Sequence, residues 1–152
     1  MNKASLPKNL YNEYWCLKVL GWNEIRNGNE YAMNAVYSVV ENRKHSKIYP
    51  DTYCEIMKQS KQFSFWNQGK YNLKDIEPNP ENEKDEIALK RIEKISYKLV
   101  TGKFNPVLPS NVLWYSTPAI KERKGSMHWT QQYRVATKAG GHLFYTKPLQ
   151  SV

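Results

Sequence analysis

A short turn at residues 27–29, Asn-Gly-Asn, separates two apolar segments near the start of the chain. In the first segment, residues 9–27, and in the second, residues 30–42, the apolar side chains fall at a spacing close to that of a helix. A glycine flanked by turn-forming residues is a common signal for the end of a helix. Glu30 would lie in the first turn of the second helix, where the helix dipole favours negative charge. The sequence therefore predicts two consecutive helices joined by a tight turn.

Two further helices are predicted before residue 101. A short helix is expected to reach residue 59, and the polar segment 67–83, which contains two prolines, is expected to be a surface loop. Residues 84–100 show a clear amphipathic pattern that ends before Gly102. The predicted buried face of this helix comprises Ile87, Leu89, Ile92, Ile95 and Leu99.

The C-terminal part of the chain changes from helical spacing to alternation. Residues 133–136 and 142–145 are predicted to be strands on either side of the turn 139–141, Ala-Gly-Gly. Helices followed by a small β element predict an α+β fold that is mainly helical. The 152 residues are expected to form a single domain, with residues 1–8 as a loose leader.

The composition is that of a folded and basic protein. Aromatic residues make up 13% of the chain, and the formal net charge is +9. A basic surface suits a polyanionic partner, such as nucleic acid, an anionic membrane surface or an acidic wall polymer, and charge alone does not choose among them. The three histidines are far apart and lack ligands at suitable spacing, so no metal or other cofactor is predicted.

The cysteines and the N-terminus bear on where the protein acts. Two cysteines, Cys16 and Cys54, are too few for a disulfide scaffold, so two free, buried thiols are expected. The sequence does not decide against a disulfide between them. The N-terminal residues contain no apolar stretch typical of a signal peptide, and no run is long and apolar enough to span a membrane. The chain is therefore expected to be made in the cytosol and to need another component for delivery across the membrane.

Glu24 is the strongest candidate for a catalytic residue. It stands near the predicted end of the first helix, two residues after Trp22 and two before Arg26. Apolar surroundings raise the pKa of a carboxyl group, so that it keeps a proton near neutral pH and can act as a general acid. Cleavage of a glycosidic bond requires such an acid. The structural alternative is a solvated glutamate at a helix end, paired with Arg26.

Six segments occur in order along the chain, at residues 22–26, 42–43, 49–54, 62–66, 114–117 and 141–145. Together they resemble the SleB-type cell-wall hydrolases found among bacterial spore-cortex lytic enzymes and phage lysins. Residues 22–26, Trp-Asn-Glu-Ile-Arg, resemble the aromatic-small-Glu-Ala-Arg segment that contains the catalytic glutamate of the family, which places Glu24 on that residue. The other matching segments are Asn42-Arg43, residues 49–54 (Tyr-Pro-Asp-Thr-Tyr-Cys), 62–66 (Gln-Phe-Ser-Phe-Trp), 114–117 (Trp-Tyr-Ser-Thr) and 141–145 (Gly-His-Leu-Phe-Tyr).

The resemblance implies a fold like that of the goose-type lysozymes and lytic transglycosylases, and cleavage of peptidoglycan glycan strands. Glu24 would protonate the oxygen between N-acetylmuramic acid and N-acetylglucosamine. In a lytic transglycosylase the 6-hydroxyl of the sugar is then the nucleophile, so one carboxyl group serves as acid and base. Glu30 would be a second catalytic carboxylate that tunes Glu24, orders a water or stabilises the positive sugar ring. Alternatively, Glu30 has no catalytic role, and its negative charge only interacts favourably with the dipole at the start of its helix.

The resemblance also implies a set of substrate-binding residues. Amide and hydroxyl groups within residues 62–66 would bind N-acetyl groups and an aromatic ring would stack on a sugar, although aromatic residues there could instead form core. Residues of the β element could reach the site, but a lone histidine such as His142 is more often a structural hydrogen-bonding group. The candidates are Trp22, Arg26, Gln62, Ser64, Trp66, Tyr115, His142 and Tyr145.

Three other functions compete with this prediction. They are a hydrolytic muramidase of the same fold, in which two carboxylates flank the bond, a basic nucleic-acid-binding domain, and an inactive wall-binding or virion protein. The preferred prediction is a monomeric phage lysin that cleaves peptidoglycan and has no nucleic-acid partner. Its basic surface would contact anionic wall or outer-membrane polymers. It would be made in the host cytoplasm and reach the wall after holin release or from the virion.

Overall fold

The computed structural model describes residues 6–59, 76–116 and 129–147, and these form a mainly helical protein with a small sheet. None of the described helices is long and apolar enough to cross a membrane. The predicted α+β class is confirmed. The elements are α1 (Lys8–Ile25), α2 (Glu30–His45), α3 (Tyr53–Gln59), α4 (Glu83–Val100), β1 (Trp114–Ser116), α5 (Trp129–Gln132), β2 (Arg134–Ala139) and β3 (His142–Thr146).

The turn between α1 and α2 forms as predicted. α1 ends at Ile25, and the side chain of Asn29 caps α2 by accepting a hydrogen bond from the backbone N–H of Ala32 at 2.8 Å. Gly28 packs closely against both helices, since a Cβ at this position would lie 2.9 Å from Ile25 Cδ1 and 3.1 Å from Ala32 Cβ. The turn therefore holds the end of α1 tightly beside the start of α2.

A buried tyrosine joins α1, α2 and α4. The Tyr37 hydroxyl donates a hydrogen bond to the backbone carbonyl of Leu17 at 2.6 Å and lies 3.2 Å from Ser96 Oγ. Gly21 permits this contact, because a Cβ there would lie 2.1 Å from the hydroxyl oxygen. The middle of α1 is thus fixed by close packing, and Glu24 follows less than one turn later.

The prediction of the buried face of α4 is wrong at one residue. Ile92, Ile95 and Leu99 are buried as predicted, whereas the side chain of Ile87 is 46% exposed. Ala88 is buried instead, because positions 88, 92, 95 and 99 share one side of the helix and position 87 falls at its edge. An aliphatic side chain is therefore left on the surface of α4.

Cys16 and Cys54 form a disulfide, so the expectation of two free thiols is wrong. Their Cα atoms are 5.3 Å apart, a separation usual for such a bond. α3 packs along α1 here, because the carboxylate of Glu13 accepts hydrogen bonds from the backbone N–H groups of Tyr53 and Cys54. This long-range contact brings the two cysteines together, and the spacing of the cysteines in the sequence does not predict it.

The three strands form an antiparallel sheet in the order β1-β3-β2. The turn between β2 and β3 contains Gly140 and Gly141, both at positive φ, a conformation that glycine adopts without steric cost. This turn lies against the end of α1 and the start of α2, since a Cβ on Gly140 would be 3.0 Å from Ile25 Cδ1 and 2.6 Å from Ala32 Cβ. The sheet therefore meets the helices at the position of Glu24.

Candidate active site

Glu24 lies in the last turn of α1 and lines an open cleft of about 400 Å³. The cleft lies between the α1–α2 turn and the β2–β3 turn. Glu24 is partly exposed, so a substrate that enters the cleft lies beside it. The described residues that line the cleft are Trp22, Asn23, Glu24, Ile25, Arg26, Asn27, Gly28 and Gly140.

Burial raises the pKa of Glu24 from an ordinary 4.5 to about 7. The cause is the loss of hydration, which disfavours the ionised form. The neighbouring Tyr115 hydroxyl acts in the opposite direction and lowers the pKa of Glu24, because a nearby O–H group favours the ionised carboxylate. The group thus keeps its proton under mildly acidic conditions, and its ionised form has a donor in place. Both states are needed in a group that gives and takes a proton.

Arg26 does not act as the partner of Glu24 that the structural alternative requires. Its guanidinium lies over the ring of Trp22, 4.9 Å from the centroid, in a cation–π contact. Burial raises the pKa of Glu24 and the neighbouring Tyr115 hydroxyl partly opposes that shift, and Arg26 is not among the causes. Trp22 is only 4% exposed, so its ring shapes the wall of the cleft and offers little area for stacking on a sugar.

Tyr115 is the residue of the sheet that lies next to Glu24. It lies on β1 opposite Phe144 of β3, and its side chain is 2% exposed. Burial and the negative charge of Glu24 raise the pKa of Tyr115, so the phenol keeps its proton and can donate it in a hydrogen bond. The ring of His142 packs edge-on against Tyr115 with 5.0 Å between the centroids. The structure therefore brings together three of the predicted site residues from α1, β1 and β3.

His142 is placed to support Tyr115. Its Nδ1 lies 3.2 Å from the carbonyl oxygen of Gly140. Burial lowers the pKa of His142, and the contact with the Gly140 carbonyl raises it to a smaller extent. The ring is therefore neutral near pH 7, and its packing orients the tyrosine beside Glu24.

Arg43 does not line the cleft, but it acts on Tyr115 from behind it, and it is not among the candidates predicted from the sequence. It lies on α2 with 1% of its side chain exposed, and its Nε donates a hydrogen bond to the carbonyl of Leu113 at 2.7 Å. Burial lowers the pKa of Arg43, while Tyr49 and Tyr115 raise it. The positive charge lowers the pKa of Tyr115 in turn, which makes that phenol a stronger donor toward Glu24. The Asn-Arg pair of the family resemblance is the sequence signal that could have identified it.

The remaining candidates lie elsewhere. The hydroxyl of Tyr145 is 2.7 Å from Ser116 Oγ, within the sheet, and Glu30 is exposed at the first position of α2. Neither is among the described residues that line the cleft. The described residues also contain no group of three or more His, Cys, Asp or Glu side chains that could hold a metal ion. Three candidates lie outside the described residues, namely Gln62, Ser64 and Trp66.

Comparison with known families identifies the class of protein. A sequence model of the family described as Cell Wall Hydrolase matches residues 27–145. The chain belongs to this family, the SleB-type cell-wall hydrolases, and is therefore a peptidoglycan-degrading enzyme. No curated protein and no solved structure matches it. The matched range contains Arg43, Tyr115 and His142 but begins just after Glu24, so the role of Glu24 rests on the geometry of the cleft.

Proposed function

We propose that this enzyme cleaves the bond between N-acetylmuramic acid and N-acetylglucosamine as a lytic transglycosylase, with Glu24 as its single acid and base. The observation that supports this most directly is the state of Glu24, a carboxylic acid that lines an open cleft, whose pKa is raised to about 7 by burial and whose ionised form is favoured by the neighbouring Tyr115 hydroxyl. Among the described residues that line the cleft, it is the only carboxylic acid. Hydrolytic glycosidases ordinarily use two, so the composition of the cleft favours the mechanism that needs one.

In the proposed reaction, protonated Glu24 gives its proton to the glycosidic oxygen as the bond from that oxygen to C1 of the muramic residue breaks. Positive charge develops at C1, and the ionised Glu24 is stabilised by the Tyr115 hydroxyl. The carboxylate then takes the proton of the C6 hydroxyl of the same muramic residue while that oxygen bonds to C1. The product has a 1,6-anhydro ring, and Glu24 is protonated again for the next cycle.

The proposal also places the chain in the lysozyme-like fold group, with the goose-type lysozymes and lytic transglycosylases. Support comes from a glutamate at a helix end beside an open cleft, with a three-stranded antiparallel sheet meeting the helices there. A likeness of architecture does not determine the reaction. The reaction product must therefore be measured.

Product analysis tests the proposed reaction. Purified peptidoglycan is digested with the wild type and with Glu24→Gln, and the released muropeptides are weighed by mass spectrometry before and after borohydride reduction. We expect 1,6-anhydro-muramic ends that resist reduction and that are absent with Glu24→Gln. Reducible muramic ends would instead establish a muramidase, and release of peptides without new glycan ends would exclude both glycan-cleaving reactions.

Tyr115→Phe is expected to lower the turnover number about tenfold and to raise the pKa of Glu24 further. The substitution removes the hydroxyl group that favours the ionised form of Glu24, and a hydrogen bond that such a group forms with a carboxylate during the reaction contributes about 1.5–3 kcal/mol. Because the reaction starts from protonated Glu24, the alkaline limb of the plot of kcat against pH should move to higher pH. Tyr145→Phe is the control, since its hydroxyl contacts Ser116 inside the sheet. A limb that stays in place, or moves to lower pH, would show that Tyr115 does not stabilise the carboxylate.

We further propose that the enzyme is a phage lysin that acts outside the host cytoplasm. The Cys16–Cys54 disulfide supports this, because such bonds persist mainly in oxidising compartments. The net charge of +9 suits an approach to anionic wall or outer-membrane polymers. Expression in a bacterial cytoplasm should lyse cells only when a holin is expressed as well, and lysis without a holin would argue against this mode of delivery.

A further inference from the structure

A second open cavity, of about 330 Å³, adjoins the cleft. Arg26, Asn27 and Gly28 line both cavities, so the α1–α2 turn forms their common wall. A substrate bound beside Glu24 therefore has a side pocket within reach. The remaining residues that line it, mostly from α4, are Met33, Glu83, Lys84, Ile87, Ala88 and Arg91.

Lys84, Ile87 and Arg91 form one exposed stripe on α4. Residues three, four or seven positions apart share a side of a helix, and all three side chains are exposed. Ile87 was expected to be buried, yet it offers an aliphatic surface between the two cations. This combination suits a ligand that carries a negative group on an aliphatic backbone.

The charges of the side pocket are unbalanced. Its lining contains three cations, Arg26, Lys84 and Arg91, and a single carboxylate, Glu83. Within the described part of the chain, none of the three cations is ion-paired with a carboxylate. Three neighbouring positive charges without such partners attract an anion into the pocket, and the shared wall places that anion next to the cleft.

We propose that Arg26, Lys84 and Arg91 bind a carboxylate of the peptide stem carried by the muramic residue, while the glycan strand lies in the cleft beside Glu24. This subsite rests on the proposed function. Guanidinium groups bind carboxylates through two parallel hydrogen bonds, and Ile87 offers contact to the aliphatic parts of the stem. The stem is tethered to the sugar in the cleft through its lactyl group, whereas the phosphate of a wall polymer has no such tether.

The test compares Lys84→Gln/Arg91→Gln with Lys94→Gln/Lys98→Gln. Both double variants remove two exposed positive charges from α4, but Lys94 and Lys98 do not line the side pocket. Each protein is assayed on intact peptidoglycan and on glycan strands freed of stems by an amidase. These strands keep a lactyl carboxylate on each muramic residue and so remain anionic. Thermal unfolding checks that both variants are folded.

We expect Lys84→Gln/Arg91→Gln to lower kcat/KM about tenfold on intact peptidoglycan. On stem-free strands the same variant should lower kcat/KM by a factor at least about fivefold smaller. The control variant should differ little from the wild type on either substrate. Equal losses on both substrates would overturn the proposal and indicate attraction to the sugar or its lactyl group. Equal losses in both double variants would also overturn it, because they indicate attraction between the whole basic surface and wall polyanions.

A binding measurement separates failure of the subsite from failure of the proposed function. A purified disaccharide-tetrapeptide and the same disaccharide without the peptide are titrated into Glu24→Gln protein, with and without the Lys84→Gln/Arg91→Gln changes. Tighter binding of the stem-bearing ligand, lost in the combined variant, supports the subsite even if the wild type cleaves no glycan. Equal affinity for the two ligands would overturn the subsite even if the wild type produces anhydro ends.

Discussion

Glu24→Gln is expected to reduce the cleavage of peptidoglycan by about 10²–10⁴-fold, which is the typical contribution of general acid–base catalysis. Glutamine is close to glutamate in size and can occupy the same place in the cleft. It can neither donate a proton to the glycosidic oxygen nor take one from the C6 hydroxyl, so both proton transfers lose their catalyst. The measurement is the rate of release of soluble muropeptides at about pH 6, where the wild-type residue is protonated because its pKa is about 7.

Glu30→Gln is the matched control, because it removes the carboxylate on the other side of the same turn. Glu30 is exposed and is not among the described residues that line the cleft. Its substitution should change the rate by less than about threefold, as is usual for a surface residue outside the site. A loss as large as that of Glu24→Gln would be incompatible with a single carboxyl group and would favour a muramidase in which Glu30 orders a water.

The same Glu24→Gln change should stabilise the fold at alkaline pH. The pKa of Glu24 is about 7 in the folded protein and 4.5 ordinarily, so the folded state binds this proton more tightly than the unfolded chain does. The wild type is therefore destabilised by the ionisation of Glu24. This destabilisation is absent below pH 4.5, increases between pH 4.5 and pH 7, and reaches its full size above about pH 7. For a partly exposed group we expect about 1–3 kcal/mol. The melting temperature of the variant should exceed that of the wild type near pH 8.5 and match it near pH 4, and a pH-independent difference would point to a change in packing instead.

Local signals account for the parts of the fold that the sequence predicts well. The stop at Gly28, the cap at Asn29 and the turn at Gly140-Gly141 depend on residues only a few positions apart. Such signals determine where a helix ends or a hairpin turns. Because Glu24 lies beside one of these stops, its position at a helix end could be predicted from the sequence alone.

The surroundings of Glu24 could not be predicted in this way, because they come from distant parts of the chain. Tyr115 reaches Glu24 from β1, and Arg43 is bound to the carbonyl of Leu113, 70 residues further along. The apolar run at residues 112–115 is compatible with an extended segment, but it does not indicate which helix the segment will meet. Helical spacing likewise shows that α4 is amphipathic without fixing the edge of its buried face, which explains the error at Ile87.

Removing the Cys16–Cys54 disulfide is expected to lower the free energy of unfolding by about 4 kcal/mol. The bond closes a loop between cysteines 38 positions apart, and a cross-link of this span stabilises the fold mainly by restricting the unfolded chain. For a domain of this size the loss corresponds to a melting temperature lower by about 10 °C. The measurement is thermal unfolding, followed by circular dichroism, of the oxidised wild type and of Cys16→Ala/Cys54→Ala.

The reduced wild type is the control that separates the bond from the side chains. It should melt close to Cys16→Ala/Cys54→Ala and well below the oxidised protein, whereas equal melting of the oxidised and reduced wild type would show that the bond adds no stability. Cys16 lies about 12 Å along α1 from Glu24, and α1 is held independently by the contact of Tyr37 with Leu17. Activity at 25 °C should therefore stay within about threefold of the wild type. A folded variant without activity would instead mean that the α1–α3 contact sets the position of Glu24.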